Sequence, residues 1–159
     1  MHITLLVGTV HGNAHRVAQA LQLSAGDLQV HIDILPMDGQ DMGVLSRPGA
    51  FLICTSTTGS GDVPDNAQAF YQALDAQAQY LGHVRYGVIA LGDSSYGESF
   101  CGGGKRFDAR LQDLGAQRVG EMLCIDACET TEPEQQALDW LTQWLPVLRS
   151  GTPLPSPTF

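Results

Sequence analysis

The sequence predicts an α/β protein: a doubly wound, five-stranded parallel sheet of order 2-1-3-4-5 with helices on both faces. Two observations set the class. Short runs dominated by aliphatic residues alternate along the chain with amphipathic helical segments, and the runs lack the in-out alternation of a sheet with one wet face. A third observation locates the business end. Three glycine-punctuated loops, Gly8-Thr9-Val10-His11-Gly12-Asn13, Thr55-Ser56-Thr57-Thr58-Gly59-Ser60-Gly61-Asp62 and Leu91-Gly92-Asp93-Ser94-Ser95-Tyr96, each follow such a run, and open α/β sheets bind ligands at those strand ends, here at the switch point between strands one and three.

The elements follow in order. Ile3 to Val7 reads as the first strand, and Ala14, Val17, Ala18 and Leu21 recur at i, i+3, i+4 and i+7 as the buried stripe of a helix. Val30 to Leu35 is the second strand, and Pro36 to Pro48 is a loop or a broken helical turn. Phe51 to Cys54 forms the third strand. Ala67, Phe70, Tyr71 and Leu74 repeat the helical spacing. Tyr86 to Leu91 is the fourth strand, Phe107, Leu111 and Leu114 mark a helix, and Val119 to Ile125 is the fifth strand. Leu138, Leu141, Trp144, Leu145 and Leu148 define the last helix, opened by a capping box of Thr131 and Glu134 with Pro133 between them. Both tryptophans read as core. Residues 1–149 are expected to form one domain, and 150–159, with three prolines, a frayed tail.

Composition narrows the function classes. A chain of 159 residues can bury a sizeable core without disulfides or metals. The cysteines, Cys54, Cys101, Cys124 and Cys128, have no CxxC spacing and no histidines placed as in a zinc site. No metal is expected, and a reducing, cytoplasmic compartment is. No apolar stretch approaches the roughly 20 residues of a membrane span, and Met1 to Gly8 shows neither a basic leader nor a small-residue cleavage pattern. With 17 acidic against 8 basic residues, and a single lysine, the chain would repel a phosphate backbone or an anionic membrane. Neither is expected as a partner.

The first loop would aim successive backbone N–H groups and the positive end of a helix dipole at one spot, which suits a phosphate. Gly8 and Gly12 allow close backbone approach, and Thr9, His11 and Asn13 offer side-chain donors without fixed charge. The loop does not match a dinucleotide GxGxxG fingerprint and lacks a P-loop lysine. Gly102-Gly103-Gly104-Lys105 fails as a Walker motif, because Ser99 stands five before Gly104 and Arg106 follows the lysine.

These segments, with Val63-Pro64-Asp65-Asn66 after the second loop and Phe100-Cys101-Gly102 after the third, resemble the short-chain flavodoxin family over nearly the whole chain, from Ile3 to about Leu148. The resemblance is to the small stand-alone MioC and YqcA type and to the FMN domain of cytochrome P450 reductases. It implies a flavodoxin-like fold and FMN as cofactor. Thr9, Val10, His11, Gly12, Asn13 and Ala14 would hold the phosphate. Thr57, Thr58, Gly59, Ser60 and Gly61, with Gly92, Asp93, Ser95, Tyr96, Phe100 and Cys101, would flank the ring. Tyr96 matches the ring that stacks on one flavin face, and Gly59 the glycine whose carbonyl reorients to accept a hydrogen bond from the reduced flavin N5. Three departures stand out. Thr58 occupies a place where relatives often carry Tyr or His, His11 replaces a more usual hydroxyl residue, and the chain is one residue longer at Gly97-Glu98-Ser99.

A flavin without a visible nucleophile, acid-base pair or substrate domain implies one-electron carriage rather than catalysis on a small molecule. Asp62, Asp65, Asp93, Glu98, Asp126, Glu129 and Glu132 follow the strand ends and would ring the exposed flavin edge. An NADPH-dependent flavoprotein reductase and acceptor proteins with basic docking surfaces are the expected partners of a monomer. The alternative is an NAD(P)H-dependent flavin or quinone reductase on the same fold, although no basic nicotinamide-phosphate site is visible. A phosphorylation-dependent receiver is set aside, because Val7-Gly8-Thr9 and Cys54-Thr55 stand where its acids would be. A flavin-free regulatory relative is the remaining class.

Overall fold

The computed structural model describes residues 2–9, 12–40, 42–57, 63–76, 80–92, 101–126 and 132–150. The tail, 151–159, lies outside them. The strands are β1 (His2–Gly8), β2 (His31–Pro36), β3 (Ala50–Thr55), β4 (Arg85–Gly92), β5 (Gln117–Arg118) and β6 (Leu123–Asp126), and the helices are α1 (Asn13–Ser24), α2 (Asp65–Ala76), α3 (Gly102–Asp113) and α4 (Pro133–Arg149). All pairings are parallel, in the order β2-β1-β3-β4-β5, with β6 also paired to β4. This is the doubly wound sheet the sequence predicts. Its register sets Gly8 beside Thr55 and Gly92 beside Asp126, so the loops after β1, β3 and β4 leave the sheet along one edge.

Alternate residues of each strand enter two cores, which explains why the strand runs are apolar throughout. Leu5 and Val7 of β1, with Leu52, Cys54 and Ile89, pack against Val17 and Leu21 of α1 and Leu141, Trp144 and Leu145 of α4. Leu6, Ile53, Tyr86 and Val88 face Phe70 and Leu74 of α2 and Phe107 and Leu111 of α3. Each such aliphatic or aromatic side chain stabilises the fold by about 1.5–3 kcal/mol relative to exposure. The Pro36 to Pro48 segment holds a short 3-10 helix, Met42–Ser46, whose Val44 and Leu45 close the second core.

Two expectations are corrected. Val119 to Ile125 is not one strand: the fifth position is split into β5 and β6, with Gly120 at φ +69° between them. The Val119 N–H still reaches Tyr86 O at 2.7 Å, but the carbonyls of Val119 and Glu121 accept the indole N–H groups of Trp144 (2.7 Å) and Trp140 (3.2 Å). The tryptophans thus supply partners that a strand would have found in a neighbour. Trp144 is buried, as predicted, and its stacked neighbour Trp140 is partly buried. The capping box is also displaced. The N-cap of α4 is Glu132, with Pro133 in the first turn and no side-chain cap bond, while Thr131 lies outside the described residues.

Two polar clusters tie the sheet together. Beneath β4, the Tyr86 hydroxyl donates to Asp108 Oδ1 at 2.7 Å, and that carboxylate also takes Gln112 Nε2 at 3.0 Å and Arg118 Nη1 at 2.6 Å. Burial, followed by the Asp108 charge, pushes the Tyr86 phenol far above its ordinary range. At the amino ends of β1 and β2, the register pairs His2 with His31. Both imidazoles reach Asp33, at 2.8 and 3.0 Å, as does Arg47 at 2.8 Å.

Candidate functional site

The first loop begins where β1 can no longer carry a side chain. A Cβ on Gly8 would lie 3.0 Å from Ala67 Cβ, Met37 Sδ and Thr55 Oγ1, so β1 passes its neighbours at backbone distance. Thr9 follows, with its N–H on Asn66 Oδ1 at 2.9 Å and its hydroxyl accepting the Gly12 N–H at 2.9 Å. Gly12 is the N-cap of α1 in the left-handed region, φ +83°, which favours glycine. The nearest heavy atom to a Cβ there would be Arg16 Nη1 at 3.8 Å, so conformation rather than crowding calls for glycine at this turn.

Asn13 is the first helical residue, and its side-chain oxygen accepts a hydrogen bond from Arg16. Ala14 is wholly buried in the first core, so only its backbone can face the loop. The first turn of α1 carries no acidic residue, which leaves its N–H groups and dipole suited to an anion.

The second loop is stitched to the first: Ser56 N–H donates to Gly8 O at 2.9 Å, and its hydroxyl lies 3.3 Å from Thr9 Oγ1. It is tied to the start of α3 by Thr57, whose hydroxyl oxygen accepts the Gly103 N–H at 3.0 Å. The triple glycine that failed as a nucleotide motif has a packing role here. A Cβ on Gly103 would stand 2.3 Å from Ser56 O, and one on Gly104 2.4 Å from Ala90 Cβ. Only glycines let α3 start this close to β3 and β4.

Cys101, the N-cap of α3, is fully buried at φ +57°. Its thiol lies 3.5 Å from Ala90 O, and Ala90 is the register partner of the half-buried Cys124 of β6. The neighbouring Cys101 thiol, opposed by partial burial and aided by Lys105, draws the Cys124 thiol below its ordinary range, while Cys101 is raised. Cys54 points into the other core, and burial pushes it up to about 12.

The structure therefore brings Thr9, Gly12, Asn13, Ala14, Thr57, Gly92 and Cys101 to one end of the sheet. Val10, His11, Thr58, Gly59, Ser60, Gly61, Asp93, Ser95, Tyr96 and Phe100 lie outside the described residues. Of the acidic rim, Asp126 ends β6 beside Gly92 and Glu132 caps α4. Asn66 and Arg16 belong to the site and are absent from the sequence-based set. Arg16 was legible as the basic residue one turn beyond the loop, three positions after Asn13. The donor set fits the phosphate of the expected FMN: a hydroxyl, an uncrowded left-handed glycine, helical N–H groups and a guanidinium converge there. Among the described residues no helix is long and apolar enough to cross a membrane.

Comparison with known proteins covers most of the chain. Residues 5–140 match the family described as Flavodoxin. Flavodoxin YqcA of Escherichia coli K12 is 42% identical over 152 residues, which cover 89% of this chain and 95% of that protein. The sulfite reductase [NADPH] flavoprotein alpha-component of Vibrio cholerae is 37% identical over 151 residues, or 92% of this chain and 23% of that protein. The solved C101A mutant of flavodoxin from Pseudomonas aeruginosa superposes with a TM-score of 0.83 at 38% identity, covering 94% of this chain and 99% of the other.

Proposed function

Because the chain belongs to the flavodoxin family, whose cofactor is FMN, we propose that it carries single electrons from an NADPH-dependent flavoprotein reductase to acceptor proteins. The observation that supports this most directly is the set of hydrogen bonds joining the first loop, the second loop, α2 and the start of α3. Thr9 to Asn66, Ser56 to Gly8 and Thr57 to Gly103 hold the ends of separate elements within hydrogen-bond distance, which pre-organises a cleft at the carboxyl ends of β1, β3 and β4.

In this reading the first turn of α1, the Thr9 hydroxyl and Arg16 bind the phosphate, with Val10, His11, Gly12, Asn13 and Ala14 completing the loop. Thr57 to Gly61 and Gly92 to Cys101, with Tyr96 stacked on one face, position the ring and exclude water from it. FMN supplies the one-electron exchange that no side chain here can perform. Asp126 and Glu132, with Asp62, Asp65, Asp93, Glu98 and Glu129, disfavour extra negative charge on the ring and orient a basic partner. One observation supports a cytoplasmic setting: among the described residues Cys54, Cys101 and Cys124 are free thiols, which suit a reducing compartment.

The test is to load the purified protein with excess FMN, remove unbound flavin by gel filtration and measure retained flavin against protein. Near-equal stoichiometry, with reduction by NADPH only when a flavoprotein reductase is added, is the expected result. Loss of all flavin on the column overturns the cofactor assignment of the loops. Steady reduction by NADPH alone replaces the carrier with a flavin or quinone reductase.

A further inference from the structure

We propose that Cys101 and Cys124 are a redox-active dithiol that closes to an intramolecular disulfide when a hydroperoxide reaches it. The fold assembles the pair from distant sequence. Parallel pairing of β4 with β6 sets Cys124 opposite Ala90, and the start of α3 drops Cys101 onto the same residue, with its sulfur 3.5 Å from Ala90 O. Both side chains belong to the second core, where they share Ala90 as a neighbour.

The backbone at Cys101 is a separate sign. An L-residue is strained in the left-handed region, and Cys101 adopts φ +57° immediately before three glycines. The strained position is thus the one that carries a side chain.

The two thiols are unequal in a way that divides the chemistry. Cys124 is half-buried and Cys101 fully buried, so an oxidant meets Cys124 first. Its thiolate character, favoured by the neighbouring Cys101 thiol and by Lys105, makes it the nucleophile. The Cys124 sulfur attacks one peroxide oxygen and the O–O bond breaks. The departing oxygen leaves as water or alcohol after gaining a proton, and Cys124 becomes a sulfenic acid. The Cys101 sulfur then attacks Cys124, the S–O bond breaks, and hydroxide takes the Cys101 proton to leave as water. Two thiols are oxidised and one peroxide is reduced. Cys54 lies in the opposite core and takes no part. The contact rests on α3 and β6 and holds whether or not the flavin reading does.

The experiment treats the full-length protein, with and without added FMN, with hydrogen peroxide. Free thiols are then counted and the peptides mapped without reduction. A single cross-link joining the Cys101 and Cys124 peptides, reversed by dithiothreitol, is expected. It should be lost in Cys124→Ser and kept in Cys128→Ser. The wild-type map stands on its own should a cysteine variant fold poorly. A cross-link through Cys128, or oxidation of Cys124 to sulfinic acid with Cys101 still a thiol, overturns the proposal.

Discussion

The Thr57 hydroxyl caps helix α3 from across the sheet, taking the N–H of Gly103 at 3.0 Å. The two residues are far apart in sequence, yet they make the loop after β3 and the start of α3 a single unit. Replacing Thr57 with Val keeps the shape and deletes the acceptor. The loss should be about 1 kcal/mol, the usual value of a helix cap, read as a lower urea midpoint at unchanged slope. An unchanged midpoint would show that water replaces the hydroxyl without cost.

Gly103→Ala tests the same seam sterically. The added Cβ would meet the Ser56 carbonyl at 2.3 Å, and backbone cannot swing aside as a side-chain tip does. A destabilisation of about 1–3 kcal/mol is expected. Gly26→Ala is the control, because nothing lies within 4 Å of its Cβ position. Equal melting temperatures for the two variants would remove the close approach as the reason for the glycine.

Under β4, Tyr86→Phe removes one donor from Asp108 and leaves Arg118 and Gln112 in place. The carboxylate stays paired, so the cost should sit at the low end of the about 1–3 kcal/mol for a disturbed buried hydrogen bond. Arg118→Met, which strips the charge partner, should cost more. Denaturant titration of the two variants gives the order, and a reversed order would mean that the phenol carries the cluster.

Asp33 supplies a pH dependence. Desolvation works to raise its pKa, but the hydrogen bonds from His31 and His2, with their charge, outweigh it and hold the carboxyl below its ordinary 3.8. A folded pKa below the unfolded one means that the unfolded chain binds the proton more readily. The stabilisation is therefore complete above the unfolded value and is lost as pH falls through the folded one. The stability gap between wild type and Asp33→Asn should be present at neutral pH and narrow in acid below the unfolded value. A gap independent of pH would sink this account.

The strands and helices could be read from the sequence because burial on both faces leaves aliphatic runs, and each helix shows its core stripe directly. What could not be read depended on partners far along the chain. Val119 to Ile125 looks continuous until Trp140 and Trp144 claim its carbonyls, and Gly120 within an apolar run does not announce a break. The capping box misplaced the start of α4 because Glu132, beside Pro133, takes the cap. At the site, the glycine loops and Arg16 were legible, whereas Asn66 and the Cys101–Cys124 contact were not. Each of these is created by register or by helix docking rather than by spacing. The His2, His31 and Asp33 cluster is the same case, assembled by the pairing of β1 with β2.

The break between β5 and β6 also bears on how this molecule meets its own copies. An unbroken outer strand would present a flat row of amide and carbonyl groups, a template on which another chain could extend the sheet. Here the left-handed turn at Gly120 bends that rim, and two indoles occupy the carbonyls of Val119 and Glu121. At this rim the last helix of the chain takes two carbonyls that a templated strand would need.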